Sequence, residues 1–317
     1  MSDPSLPQNA SSASATRLEA ATARVLAPPL DPSMYKLDED EAAFFKQQAG
    51  INSDEELKQH ILRVQAEAYE VYPYPCIRRF GFKELKMSRL PMYDELLKLG
   101  KERDAILLDV GCCVGNDVRK VIADGYPLKN VIASDIEPAF WQLGHSLFKD
   151  TPESFPVPFV GGDALDPAFL QPTPPIYVPL TAPLPALSEI TTLTALQGRI
   201  SAIHASSLFH LFDEEKQLTL AHSLAGLLAP HPGAMIFGSH VGAPEKGSQV
   251  VFAPAPGSGG KEITMFCHSL QSWRELWVSI FGADKVKVNV ELKEIIPASN
   301  PDPQRRWFFL EWSVRRV

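Results

Sequence analysis

The stretch Leu107-Leu-Asp-Val-Gly-Cys-Cys-Val-Gly-Asn-Asp117 sets a short apolar run against an acid and two glycines four residues apart. The apolar run reads as a buried strand and Asn116–Asp124 as an amphipathic helix, so both glycines stand at a strand-to-helix turn. Gly111 permits a tight turn in which a ligand touches backbone, and Gly115 opens a helix N-terminus whose free amides favour an electron-rich group. A cofactor pocket is implied. Cys112 and Cys113 inside the loop read as small residues that permit close approach rather than as redox groups.

Outward from this turn, apolar runs alternate with helical patterns. Ala105–Val110, Asn130–Ser134, Val157–Val160, Arg199–His204 and Ala234–Gly238 are short and bounded by turn residues, with helix candidates at Asn116–Asp124, Pro138–Lys149 and Asp213–Leu228. That alternation belongs to an α/β fold with a Rossmann-like, mostly parallel sheet. Lys285–Leu292 and Arg306–Val314 add an antiparallel C-terminal strand pair. Trp273 and Trp277, four apart on a helix expected over Ser269–Phe281, read together with Phe266 as packing residues. Two segments depart from short-loop expectations: Asp166–Leu196, with seven prolines between Pro167 and Pro185, and Gly242–Lys261, rich in Gly, Pro and Ser. Both read as long insertions without regular structure.

The sequence before the sheet divides in two. Residues 1–33 are Ser/Ala/Pro-rich, with too little apolar surface to offset the entropy of ordering, and read as a flexible tail. Residues 34–100 read as an N-terminal helical lid on the α/β domain of residues 101–317. In it, Asp38–Glu41 places negative charge at one helix start, Ser53-x-x-Glu56 is a capping box at another, and Ser88–Leu99 is a helix ended by a left-handed Gly100. Tyr69–Phe80, with Pro73 and Pro75, must be an ordered loop because proline cannot carry the helix on.

Composition narrows the function. Of 317 residues 45% are hydrophobic and 21% charged, as in an ordinary globular protein. Thirty Lys and Arg against 38 Asp and Glu leave a formal charge of −8, and the basic residues come in pairs rather than patches, which argues against nucleic acid. Cys76, Cys112, Cys113 and Cys267 have neither disulfide-framework nor zinc-site spacing. No metal is expected. With no bilayer-length apolar stretch and no signal-peptide core in Met1–Thr16, the reading is a cytoplasmic protein without membrane contact.

The glycine spacing G-x-x-x-G departs from the dinucleotide pattern G-x-G-x-x-G, and Asp109, two residues before Gly111, would repel a diphosphate. That disfavours a nicotinamide-dependent oxidoreductase. A carboxylate there suits a cationic ligand, and S-adenosylmethionine carries an ammonium and a sulfonium. Asp135, followed by Ile136, ends the second strand about twenty residues beyond Gly115, where an acid can accept from both ribose hydroxyls. Asp163 and Ala164 follow the third strand, where Asp163 can accept from an adenine amine.

These residues resemble the class I S-adenosylmethionine-dependent methyltransferases: Leu107–Gly115 as the glycine-rich motif, Asp135 as the ribose acid, Gly162-Asp163-Ala164 as the adenine turn. A narrower likeness covers most of Leu37–Val317. Tyr72–Arg78, Leu108–Arg119, His204–His210 and Met265–Ser269 are similar to fungal methyltransferases that methylate oxygen on meroterpenoid carboxyls or phenols. The resemblance implies Asp109, Gly111, Cys112, Gly115, Asn116, Asp117, Asp135, Ile136, Asp163, Ala164 and His204 as cofactor contacts, with S-adenosyl-L-homocysteine as product. It implies Tyr72 and Tyr74 as contacts of a small-molecule acceptor.

Methyl transfer requires in-line approach and at most one proton acceptor. His210 after the fourth strand, His240 after the fifth and His268 beyond the second insertion are expected on the rim. Of the three, His210 is favoured as general base for a phenol. A carboxylate acceptor, which would make a methyl ester, needs no base. The expectation is O-methylation of a small phenolic or terpenoid metabolite in secondary metabolism, with carboxyl methylation and a silent cofactor-binding regulatory subunit as alternatives. Phenol, carboxylate and amine acceptors stay open, and so does the oligomeric state.

Overall fold

Asp38 opens the first helix by accepting the Glu41 amide at 2.8 Å while the Glu41 carboxylate accepts back from the Asp38 amide. Such a reciprocal cap is worth about 1 kcal/mol, and here it closes α1 (Glu39–Ala49) at its start. The computed structural model describes residues 28–252, 263–295 and 306–317. Ser53 accepts the Glu56 amide at 3.4 Å and starts α2 (Asp54–Val71), which stops before Pro73. The expected loop holds a single helical turn, α3 (Pro75–Arg78), with Pro75 at its first position, where a missing amide costs nothing.

Two compact units emerge: residues through Glu84 with Gln142–Asp150, and Leu85–Trp141 with Thr151–Val317. In the smaller one, Phe44 and Phe45 meet Phe148, and His60 Nε2 lies 2.9 Å from the Leu147 carbonyl. The Gln65 amide donates to the carbonyls of Ile77 and Arg78, and the buried Lys83 ammonium pairs with Glu41. Of the expected tail, residues 1–27 lie outside the described residues. Residues 28–33 are held: Tyr69 Oη donates to the Pro28 carbonyl at 2.7 Å, Arg78 Nε to that of Pro29 at 2.9 Å, and Asp31 caps a turn at Pro32–Met34.

The larger unit carries a seven-stranded sheet in the order β3-β2-β1-β4-β5-β9-β8. Its strands are β1 (Leu107–Val110), β2 (Val131–Asp135), β3 (Phe159–Gly161), β4 (Ala202–His204), β5 (Met235–Gly242), β8 (Val286–Ile295) and β9 (Trp307–Arg316). The first five are parallel; β9 runs antiparallel to β5 and to β8. Alternation along each strand splits the core between the two faces. Leu108, Ile132, Ile203 and Ile236 join α7 (Glu214–Leu227) and α8 (Leu270–Phe281) in one cluster. Leu107, Val131, Ala202 and Phe237 join α4 (Tyr93–Arg103) and α5 (Asn116–Ala123) in the other. Trp273, Trp277 and Trp312 are buried together on the first face, as packing residues of the kind expected. Burying each contributes on the order of 5 kcal/mol of apolar transfer.

Two expectations are corrected. The helix placed at Ser88–Leu99 starts at Tyr93 and runs through Gly100 to Arg103, and Asp104, at φ 52°, is the left-handed residue after it. Gly100 is needed for another reason: a Cβ there would lie 2.5 Å from the Tyr126 ring. The segment Gly242–Lys261 is not structureless, since β6 (Gly247–Phe252) pairs antiparallel with β7 (Ile263–Cys267); residues 253–261 lie outside the described ones. Asp166–Leu196 holds only short turns at Leu187–Glu189 and Leu193–Leu196. The helix α6 (Pro138–Phe148) follows β2, its residues to Trp141 clustering with the larger unit and the rest with the smaller.

Candidate active site

The carboxyl ends of β1, β2 and β4 bring the glycine turn and, of the three histidines, His210 to one edge of the sheet. The turn is anchored to β2. Gly111, at φ 75°, and Cys112 both donate their amides to the Ser134 carbonyl at 2.8 and 3.1 Å. Cys113 adopts φ 51° and donates its amide to Asp135 Oδ2 at 2.8 Å. Gly115, at φ 68°, admits no side chain, because a Cβ would stand 2.5 Å from the Trp141 ring.

Arg119, one helical turn beyond Gly115, fixes the loop from below. Its guanidinium donates to the carbonyls of Val114 and Gly115 at 3.1 and 3.3 Å and stacks on Phe155 and Trp141. Sequence reading gave Arg119 no role, although its spacing of four from Gly115 puts it under the helix start.

Asp135 uses both oxygens structurally, Oδ2 on Cys113 and Oδ1 on the Glu137 amide at 3.0 Å, and burial raises its carboxyl above the usual range. Beside it Ile136 is 53% exposed, an apolar face beside the acid. Asp163 is exposed and accepts the Leu165 amide at 2.9 Å, so it closes its own turn, with Ala164 half-buried next to it. Cys112 is buried, and burial pushes its thiol well up, which suits packing rather than nucleophilic chemistry.

Asp109 is buried, with its Cα opposite that of His204 across the β1–β4 ladder, and its Oδ1 lies 2.7 Å from His204 Nδ1. The opposite imidazole nitrogen is 2.7 Å from Ser206 Oγ. Burial opposes charge on His204, yet the Asp109 carboxylate, through charge and hydrogen bond, raises its pKa with help from Asp117. Asp117 is itself buried on α5, accepts the Met87 amide at 2.9 Å, and is pushed up to about 6, by burial first. Asn116 is buried at the helix start. Ser206 escaped the sequence reading, although it stands two residues after His204, the spacing that returns a side chain to the same side of an extended chain.

The histidines differ from expectation. His210 is half-buried on the turn after β4; its Nδ1 accepts the Val241 amide at 3.3 Å and burial lowers its pKa to about 4. His240 is no rim residue. It is 1% exposed, Trp312 Nε1–H donates to its Nδ1 at 2.9 Å, and its ring lies 4.5 Å from that of Trp273. His268 is also buried, 5.2 Å from the Trp273 ring, with Nδ1 2.9 Å from Ser272 Oγ. Period-two alternation turns His240 onto the face that α8 covers, so the strand end did not bring it to the crevice. Tyr72 and Tyr74 lie in the smaller unit, their rings 4.2 Å apart.

This arrangement, a parallel sheet with a glycine turn after its first strand and acids at successive strand ends, defines a class I S-adenosylmethionine-dependent methyltransferase. The particular family follows from its relatives. Residues 30–83 match the model of the meroterpenoid methyltransferase N-terminal domain. O-methyltransferase phiE from Fungal sp. (strain ATCC 74256) is 30% identical over 76% of this chain and 71% of its own, and methyltransferase ausD from Penicillium brasilianum is 32% identical over 73% of each. The chain belongs to this fungal methyltransferase family. Among solved structures, 1,6-didemethyltoxoflavin-N1-methyltransferase from Burkholderia thailandensis is 13% identical with a TM-score of 0.45, covering 84% of this chain and 91% of that one.

Proposed function

We propose that the chain methylates a carboxylate oxygen of a small, largely apolar or aromatic metabolite, with S-adenosylmethionine as donor and a methyl ester as product. One observation carries the choice of carboxylate over phenol: His210 Nδ1 already accepts the Val241 amide. A neutral imidazole has one acceptor nitrogen, so Nε2 carries its hydrogen and is a donor. With a pKa near 4, His210 is also mismatched to a phenol, whose proton leaves near 10. A carboxylate arrives ionised and welcomes the donor. Residues 30–83 match a meroterpenoid methyltransferase N-terminal domain, which supports a terpenoid-derived acceptor.

The residues present fit the donor. The left-handed backbone at Gly111 and Gly115 makes the tight turn the donor would approach, Asp135 at the end of β2 would accept from two ribose hydroxyls, and the exposed Ile136 offers an apolar face for a purine. Asp163 and Ala164 would border the base. When bound, S-adenosylmethionine supplies an electrophilic methyl group. The protein's share is positioning and exclusion of water: Arg119 holds the glycine turn rigid, while His210 Nε2–H orients the incoming oxygen. Tyr72 and Tyr74 enter this reading as acceptor contacts on the strength of the family motif alone.

The test is a panel of phenols, aromatic acids and terpenoid acids incubated with protein and S-adenosylmethionine, with product mass detection. Methylated acids are expected, and turnover confined to phenols would reverse the choice.

A further inference from the structure

Asp109, His204 and Ser206 form a row across the ends of β1 and β4, with 2.7 Å from Asp109 Oδ1 to His204 Nδ1 and 2.7 Å from His204 Nε2 to Ser206 Oγ. Ser206 also accepts the Ser239 amide from β5 at 3.1 Å. A serine hydroxyl has one hydrogen to give and two places to accept. When His204 is neutral, with its hydrogen on Nδ1 toward Asp109, Ser206 gives its hydrogen inward to Nε2. When His204 carries both hydrogens, Nε2–H and the Ser239 amide fill both acceptor places, and the Ser206 hydrogen turns away from the ring, with the Ser239 hydroxyl 3.5 Å off as a long-range competitor to a ligand oxygen. Asp109 and His204 are 3% and 2% exposed, but Ser206, just past the end of β4, is half-buried, so part of it is open to a ligand.

We infer that Ser206 Oγ–H donates to a carboxylate oxygen of the ligand bound at this edge, and that His204, as a positioning residue, turns it outward by holding two protons. The inference rests on the reading of this edge as the methyl-transfer site. Two carboxylates can meet it there, the amino-acid end of the donor or the acceptor itself. The groups that face His204 are Asp109 on β1, Asp117 on α5 and Lys86 ahead of α4, with the uncharged Phe237 ring on β5 at 5.3 Å. The two carboxylates favour the doubly protonated ring, Lys86 and burial oppose it, and the balance lies on the raised side. Strain falls on the next residue: Ser207, at φ 54°, donates its amide hydrogen to the Ser239 carbonyl at 2.6 Å.

The experiment compares the full chain with S206A and S206T. Calorimetry gives the Kd of S-adenosylhomocysteine from pH 7 to 9, above the titration of Asp117, and initial rates at saturating S-adenosylmethionine give the acceptor KM. Wild type and S206T are expected to lose ligand affinity as pH rises through the pKa of His204. The S206A variant is expected to be weaker by about tenfold and flat with pH, the loss of one charge-assisted hydrogen bond. A change in Kd identifies the donor carboxylate, and a change confined to the acceptor KM identifies the acceptor. If S206A does not fold, S206C, which keeps the volume with a poor donor, takes its place. Equal affinity and KM for wild type and the alanine or cysteine variant at every pH overturns the inference and leaves methyl transfer standing. Failure of wild type to bind S-adenosylhomocysteine overturns the reading of the edge itself.

Discussion

The Val241 amide donates to His210 Nδ1 across the ends of β5 and β4, and this bond decides what the imidazole can do. With that nitrogen occupied, His210 offers the crevice a hydrogen rather than a lone pair.

His210→Asn should therefore lower kcat with a carboxylic acid acceptor by about tenfold, the scale of one lost hydrogen bond to a charged oxygen. The wild-type rate should show no rising limb assignable to His210 between pH 6 and 9, since its pKa is near 4. Initial rates across that range check both. A rising limb that H210N abolishes would restore the general base.

Arg119→Met should keep an unbranched apolar stem but lose the guanidinium, with its stacking on Trp141 and its two bonds to the Val114 and Gly115 carbonyls. Affinity for S-adenosylhomocysteine should fall by about tenfold or more, because the glycine turn loses its support. Calorimetry reads the change; an unaltered Kd would mean that the turn holds itself.

Asp117→Asn should stabilise the protein. Its carboxyl titrates at about 6 in the fold against 3.8 unfolded, so ionisation is penalised above pH 6, and the penalty disappears below 3.8. The Met87 amide can still donate to the asparagine oxygen. The gain at pH 7.5 should be up to about 3 kcal/mol, two pKa units at 1.36 kcal/mol each, and should close as pH falls toward 4. Urea midpoints at both pH values test it, and equal midpoints at pH 7.5 would refute it.

The three imidazoles with lowered pKa act in the opposite direction. His210 and His268 are lowered to about 4 and His240 is lowered further, so the unfolded chain takes up protons near 6.5 that the fold refuses. Their contribution is complete above pH 6.5 and is lost as pH falls toward 4. His268→Gln should flatten that loss in urea titrations between pH 7.5 and 5; an unchanged slope would assign it elsewhere.

The fold was legible where local pattern and tertiary burial agree. The run Leu107–Gly115 and the apolar runs after it announced the five parallel strands, because buried parallel strands are uniformly apolar and short, while the antiparallel β8 and β9 showed as longer β-rich stretches. Gly100 misled because a glycine at a helix end usually caps it, whereas here it makes room for Tyr126, a contact between segments distant in sequence. The hairpin of β6 and β7 was hidden by the Gly, Pro and Ser between its strands. In the site, glycines and acids declared themselves through spacing, but partners did not: nothing in the chain announces that His204 sits between Asp109 and Ser206, or that His240 turns inward to Trp312. Those relations come from strand register, which one sequence does not spell out.

The central claim, that the methyl group goes to a carboxylate, is tested most directly with one acceptor that bears both a carboxyl and a phenolic hydroxyl. The methylated product, isolated and treated with mild alkali, should lose its methyl group and return the starting acid, as an ester does. An alkali-stable aryl methyl ether would contradict the account.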